Sequence, residues 1–222
     1  MAEFVVSGHQ INFLPGCSVM GKIRAADACI FMDSMQYERH GFVNRNRFSD
    51  GSWMTVPVNE HDTFAPINAV RIADPTGRRR EKVARTLEHK LGPAADPYAA
   101  ELRRPYKLLV GLNWALLQQL QSDLDIGTQA FLQSHLDAGH AVPIWSENER
   151  ELKPARERLA AMVAEIGGTV WLSGPSGKHY LNEQPFNDLG IEVRYFEFSG
   201  PNPSAVSLLA DRSARHDREA LL

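Results

Sequence analysis

The apolar positions of this 222-residue chain fall into short runs separated by stretches of helical spacing. Phe4, Val5 and Val6 are β-formers that stop at Ser7 and Gly8, and a second run from Ala28 to Met32 stops at Asp33. Between them, residues 18–27 put Met20, Ile23 and Ala26 on one helical face, with Lys22 and Arg24 elsewhere on the surface. The first 33 residues therefore predict a βαβ unit. Trp53 to Val58 and Ala69 to Ile72 read as pieces of a hairpin or meander. A helix is predicted from Arg79 to Leu91, stopped by Gly92-Pro93, and a longer helical region from Glu101 to Leu124 with Pro105 near its start. Next come a strand at Thr128 to Leu132, a helix at Ala155 to Ile166 closed by Gly167-Gly168, and a strand at Thr169 to Leu172. A short helix from Glu183 to Leu189 leads to a last strand, Ile191 to Phe198.

Such alternation predicts an α/β fold with a largely parallel sheet, helices on both faces and a helical C-terminal half. Residues 1–200 are expected to form one domain and 201–222 a peripheral C-terminal tail. With 24 Lys and Arg against 27 Asp and Glu, the net charge of -3 argues against nucleic acid as the main partner. Two cysteines, Cys17 and Cys29, give neither a disulfide framework nor a metal spacing, which favours the cytoplasm. No signal peptide and no membrane-spanning run of apolar residues is visible.

The chemistry-bearing residues lie just past the carboxyl ends of the predicted parallel strands, where open α/β sheets bind ligands. His9, Gln10 and Asn12 follow the first strand, and Asp33 and Gln36 follow the second. Asn44, Arg45, Asn46 and Arg47 come next. Gln133, Ser134 and His135 follow the strand at 128–132, and Ser173, Gly174, Ser176, Gly177 and Lys178 follow the strand at 169–172. His9 titrates near neutrality and suits proton exchange, or it caps a strand end. Arg45 and Arg47 offer guanidinium forks for a carboxylate or phosphate, or form a solvated basic hairpin. Residues 173–178 hold two glycines, two hydroxyls and a lysine, which fits either a phosphate cradle or an ordinary turn. Asp33 is a candidate ligand for Mg²⁺ beside a nucleotide, or it caps the next turn. Arg78-Arg79-Arg80 opens a helix at the surface. The scattered histidines give no metal motif, and Cys17 is a remote candidate for a thiolate nucleophile.

Together the motifs His9-Gln10-Ile11-Asn12-Phe13-Leu14-Pro15, Lys22-Ile23, Ala26-Asp27, Phe31-Met32-Asp33, Gln36-Tyr37, Asn44-Arg45-Asn46-Arg47 and Thr55-Val56-Pro57-Val58 resemble the WbqC-like protein family. Leu112-Asn113, Arg158-Leu159 and the run from Leu172 to Leu181 extend the likeness in the same order over about residues 4 to 198. Departures are Ile11 in place of a usual proline, Gly16-Cys17 in place of a bulky pair, an added stretch at 138–148, and a reduced segment at 206–211. The resemblance implies a biosynthetic enzyme of surface-polysaccharide (O-antigen) or specialised metabolism that modifies an amino sugar or small metabolite by acyl or aminoacyl transfer. A second layout likeness, to pantothenate synthetase and nucleotidylyltransferase enzymes, implies a Rossmann-like, HUP-like sheet. In that layout His9 sits at nucleotide phosphates, Gln36 at a carboxylate substrate, and Ser173 to Leu181 closes over phosphate.

These readings give His9, Gln10 and Lys178 as catalytic, and Asn12, Asp33, Gln36, Asn44, Arg45, Arg47 and Ser134 as substrate-binding. Ser173, Gly174, Ser176, Gly177 and Tyr180 are the anion-binding set. The expected reaction is transferase or ligase chemistry forming an amide-type bond to a small substrate with an anionic group. ATP with Mg²⁺ is the cofactor if a nucleotide drives the reaction. A homo-oligomer is compatible with the sequence. The rival expectation is a non-catalytic ligand-binding or scaffold protein of a glycan pathway.

Overall fold

Local pattern and long-range pairing together set the elements. The computed structural model describes residues 2–139 and 149–210, apart from the side chains of 149–156. In chain order it contains β1 (Val5–Gln10), α1 (Cys17–Arg24), β2 (Ala28–Met32), β3 (Arg45–Arg47), β4 (Trp53–Thr55), α2 (Arg78–Leu91) and α3 (Asp96–Arg103). There follow α4 (Leu109–Asp123), β5 (Gln129–Leu132), α5 (Glu149–Glu165), β6 (Val170–Ser173), α6 (Gln184–Asn187) and β7 (Glu192–Tyr195). Most of the added stretch at 138–148, and the tail beyond 210, lie outside the described residues.

The chain divides into two units. The first comprises Met1–Gln10, Gly21–Gln36 and Gly127–Ser199; the second comprises Ile11–Met20, Tyr37–Ile126 and Gly200–Leu222.

The first unit is an α/β body built on a five-stranded sheet in the order β5-β2-β1-β6-β7, flanked by helices. Every neighbouring pair is parallel. All five residues of β2 are buried, as a strand inside a covered parallel sheet requires. The strand β1 runs past its apolar stretch, because Gly8, His9 and Gln10 pair with Ile30, Phe31 and Met32 of β2. Gly8 is needed there: a Cβ would stand 2.5 Å from the Trp171 ring and 2.9 Å from the Met32 methyl. Trp171 in turn stacks on Phe186, with ring centroids 5.9 Å apart. Gly168 lets α5 close onto the sheet, since a Cβ would meet Val163 at 2.5 Å and Val6 at 2.6 Å. From β1 the chain builds outward to β2 and β5, then returns to lay β6 and β7 on the other side of β1. The strand order therefore reverses between β1 and β6, and the carboxyl ends of these two strands flank the place where such sheets open a ligand crevice.

The second unit holds α2, α3, α4 and the β3-β4 hairpin. The single helical region expected from Glu101 to Leu124 is two helices, α3 and α4, broken around Pro105, which cannot donate to a helix ladder. The leucine spacing in this region predicts one apolar stripe from Leu108 to Leu120; Leu109, Leu112, Leu116, Leu117 and Leu120 of α4 are buried, while Leu108, just before the helix, is 40% exposed. The strand expected at Ala69 to Ile72 is a 3-10 turn, Ile67–Ala69, followed by single bridges, Val58 to Ile72 and Arg71 to Leu108. Arg80 corrects the reading of a surface arginine run. It is buried, its guanidinium donating to the Arg104 carbonyl and lying 3.5 Å from Asp74. Asp74 also accepts from the Arg80 backbone N–H at 2.9 Å and so closes the start of α2. The segment after Pro203, expected at the periphery, buries Ser204, Ala205, Val206 and Leu209. There the Ser204 hydroxyl donates to the Leu14 carbonyl at 2.7 Å.

Candidate functional site

At the switch point of the first unit, β1 ends in His9 and Gln10 and β6 ends in Ser173 and Gly174. The sequence reading set Lys22 on the surface, and the structure corrects this. Lys22 is only 6% exposed, because almost every residue of α1 is covered and the helix has no solvent face to offer it. Its Nζ donates to the Gly8 carbonyl at 2.7 Å. A Cβ placed on Gly174 would stand 3.9 Å from the same Nζ. The buried ammonium thus lies between the end of β1 and the turn that follows β6. Burial pulls the Lys22 pKa down from its ordinary value, and the one opposing influence is the Cys29 thiol. That thiol is itself pushed up to about 11 by burial and remains protonated at neutral pH.

His9 is half-buried, and its ring surroundings shed enough water to disfavour the imidazolium. Desolvation first, and the Lys22 charge second, lower its pKa to about 3. The ring is neutral at physiological pH. Its Nδ1 lies 3.1 Å from the Gln10 carbonyl, which can only accept, so the proton sits on Nδ1 and Nε2 carries the lone pair. Here are a hydrogen-bond acceptor of fixed tautomer and a buried cation on one sheet edge.

The remaining sequence candidates of this unit fall into two groups. Asp33 and Ser134 are brought together across 101 positions. The Asp33 carboxylate accepts from the Ser134 N–H at 2.9 Å and hydroxyl at 2.6 Å, which joins the ends of β2 and β5. Both carboxylate oxygens are thereby engaged, so the residue expected to hold Mg²⁺ has the job of closing a turn. Beside it Gln133 is fully buried, and among the described residues neither its amide nitrogen nor its amide oxygen has a hydrogen-bond partner. Gln36 is half-buried after β2.

In the second group, Pro175–His179 form a 3-10 turn after β6, in which Gly177 donates to the Gly174 carbonyl at 3.0 Å. Gly177 is obligatory, since a Cβ would fall 2.1 Å from the Ser173 hydroxyl. Ser176 and Tyr180 are exposed. Lys178 is also exposed, its ammonium 3.0 Å from Glu197 and 5.6 Å from the centre of the Tyr195 ring. Its charge is already matched at the surface.

Asn12, Asn44, Arg45 and Arg47 belong to the second unit. Asn44 is buried, accepting from the Tyr37 hydroxyl and donating to the Val56 carbonyl, both at 2.9 Å. Asn46 donates to the Leu14 carbonyl at 2.7 Å and accepts from the Arg47 N–H at 2.8 Å. These amides fix the hairpin approach. Asn12 is buried with its side-chain oxygen unpartnered. Arg45 donates to the His40 and Gly41 carbonyls and lies 4.3 Å from the Trp53 ring centre; Arg47 lies 5.1 Å from it. Trp53 is 48% exposed and stacks with Phe42 at 6.4 Å. Cys17 is buried and its thiol pushed up to about 11, which does not fit a thiolate nucleophile.

Sequence reasoning counted Lys22 among the family motifs but set it on the surface and so missed it as a site residue. A signal was present: α1 carries just Ser18, Lys22 and Arg24 as polar side chains, too few for a helix with a solvated face.

Among the described residues no three His, Cys, Asp or Glu side chains gather as a metal ligand set, and no helix is long and apolar enough to cross a membrane.

The strand order and the polar groups at its reversal define an α/β protein with a ligand-type crevice position at β1 and β6. Residues 10–204 match the WbqC-like protein family, and the chain belongs to that family. It is similar to "Uncharacterized protein Rv1507c" of Mycobacterium tuberculosis (strain ATCC 25618 / H37Rv), with 28% identity over 204 residues, covering 86% of this chain and 81% of the relative. No solved structure matches the chain.

Proposed function

We propose that this protein is a biosynthetic enzyme forming an amide-type bond: an acyl or aminoacyl transferase, or an ATP-dependent ligase, acting on the amino group of a sugar or other small metabolite. The observation that carries the reading is the neutral His9 imidazole, of fixed tautomer, at the point where the strand order reverses. In the proposed step the acceptor amine nitrogen attacks the carbonyl carbon of the acyl donor. The C–N bond forms, and the bond to the leaving phosphate or thiolate breaks with its electron pair. The nitrogen of the tetrahedral adduct is far more acidic than a free ammonium, so its proton passes to Nε2 of His9 although that imidazole is a weak base. Gln10 and Gln36 orient the reactants. If ATP is the energy source, its part is to activate the carboxyl group, and the end of β6 is where its phosphates belong.

The family resemblance supplies the setting, surface-polysaccharide or specialised metabolism. The test is a product screen by mass spectrometry, offering ATP/Mg²⁺ with carboxylic acids, acyl-CoA and nucleotide-linked amino sugars. His9→Gln is expected to lower turnover about 10²- to 10⁴-fold while ligand binding is kept. Turnover unchanged in His9→Gln, or saturable ligand binding with no product from any donor, overturns the enzyme reading.

A further inference from the structure

We infer that Lys22, the carboxyl end of β1 and the Gly174 turn form a subsite for an oxyanionic group, phosphoryl or carboxylate, of a small-molecule ligand. The inference rests on the reading of this sheet edge as a ligand site, and not on the reaction assigned to it.

The argument starts from the cost of an uncompensated charge. An ammonium removed from water is tolerated when a carboxylate or several acceptors replace its hydration. Lys22 has three donors, and among the described residues one acceptor meets them, the Gly8 carbonyl at 2.7 Å. Among the described residues no Asp or Glu side chain acts on it; the opposing influence is a thiol that stays protonated. A buried lysine with a purely structural role is ordinarily paired with a carboxylate. The ammonium is also placed where a ligand arrives. It sits against the end of β1, next to the strand-order reversal, and faces Gly174, whose missing side chain leaves the β6 turn open on that side. Any other residue at 174 would put a carbon 3.9 Å from Nζ and occupy space an oxyanion needs. Neighbouring His9 is neutral and so adds no second positive charge, which leaves Lys22 as the cation of the pair. A point charge at a glycine turn suits phosphate or carboxylate oxygens.

The experiment is titration calorimetry and thermal shift on the full chain at constant ionic strength, with inorganic phosphate, pyrophosphate, ATP and acetate as separate probes. Wild type is expected to bind at least one probe saturably. Preference for pyrophosphate or ATP assigns a phosphoryl group; preference for acetate assigns a carboxylate. Lys22→Met is expected to weaken that probe about tenfold to a hundredfold and, in anion-free buffer, to melt no lower than wild type, because an unpaired buried charge is gone. Gly174→Ala keeps the ammonium and is expected to weaken the same probe several-fold, which preserves the test if Lys22→Met fails to fold. Wild-type affinity in both variants, or no saturable binding of any probe to wild type, overturns the subsite. Anion binding that depends on Lys22 without any turnover leaves the subsite standing and sinks the enzyme reading alone; turnover with unchanged KM in Lys22→Met does the reverse.

Discussion

Acid should unfold this protein through His9. In the unfolded chain its imidazole titrates at the ordinary 6.5, whereas in the fold burial and the Lys22 charge hold it at about 3. The folded pKa is depressed, so the fold refuses a proton that the unfolded chain accepts. Stability from this group is complete above pH 6.5 and falls as pH drops from 6.5 toward 3. At 1.36 kcal/mol per pH unit the loss at pH 5 is about 2 kcal/mol, a large share of a typical 5 to 15 kcal/mol. His9→Gln keeps a polar side chain and removes the titration. Urea unfolding followed by far-UV circular dichroism at pH 7.5, 6.5, 5.5 and 5.0 gives the two stability curves. Wild type should lose about 2 kcal/mol more than His9→Gln between pH 7.5 and pH 5, since the seven other histidines are common to both. Parallel curves would show that the ring titrates in the fold as it does in the unfolded chain, and would refute the desolvation that is said to hold it neutral.

Other expectations concern packing and polar pairing. Gly8→Ala should destabilise by about 1 to 3 kcal/mol, because the methyl must displace Trp171 and Met32; an unchanged Tm would contradict that close approach. Asp33→Asn halves the acceptor capacity that Ser134 uses, and a loss of about 1 to 3 kcal/mol is expected in denaturant titration. If Ser134→Ala added to it fully, the pair would not be acting as a pair. Asn113 is fully buried and donates to the Ile11 and Val43 carbonyls at 2.9 and 2.8 Å. Asn113→Leu leaves both carbonyls unpaired and should cost about 2 to 4 kcal/mol; hydrogen exchange should speed up first around residues 11–14 and 42–44.

The strands of the first unit were legible because a parallel sheet covered by helices needs short uninterrupted apolar runs. Ala28 to Met32 shows this most plainly, and the polar clusters at the strand ends could be found by counting past each run. The helix α4 was legible from its leucine spacing, but its separation from α3 was not, because Pro105 read as lying near the start of one helical region. Periodicity failed where a neighbour distant in sequence decided the outcome. The strand β1 continues through Gly8 and His9 because β2 supplies hydrogen-bond partners, although neither residue favours a strand by itself. Asp33 and Ser134 read as two open ligand groups, and the parallel pairing of β2 with β5 turned them on each other. Likewise Lys22 reads as a surface lysine in any helical projection of α1.

What the sequence by itself determined is the α/β character, the family and the chain positions where chemistry collects, since these are recorded in local spacing and in motifs. Only the tertiary structure decided which of those groups are spent on each other and which are left over. Lys22 meets Gly174 across 152 positions because β1 pairs with β6. The fold leaves the Lys22 ammonium without a carboxylate partner among the described residues and keeps the His9 imidazole neutral, and the energy of a charge depends on what surrounds it in space rather than on what precedes it in the chain.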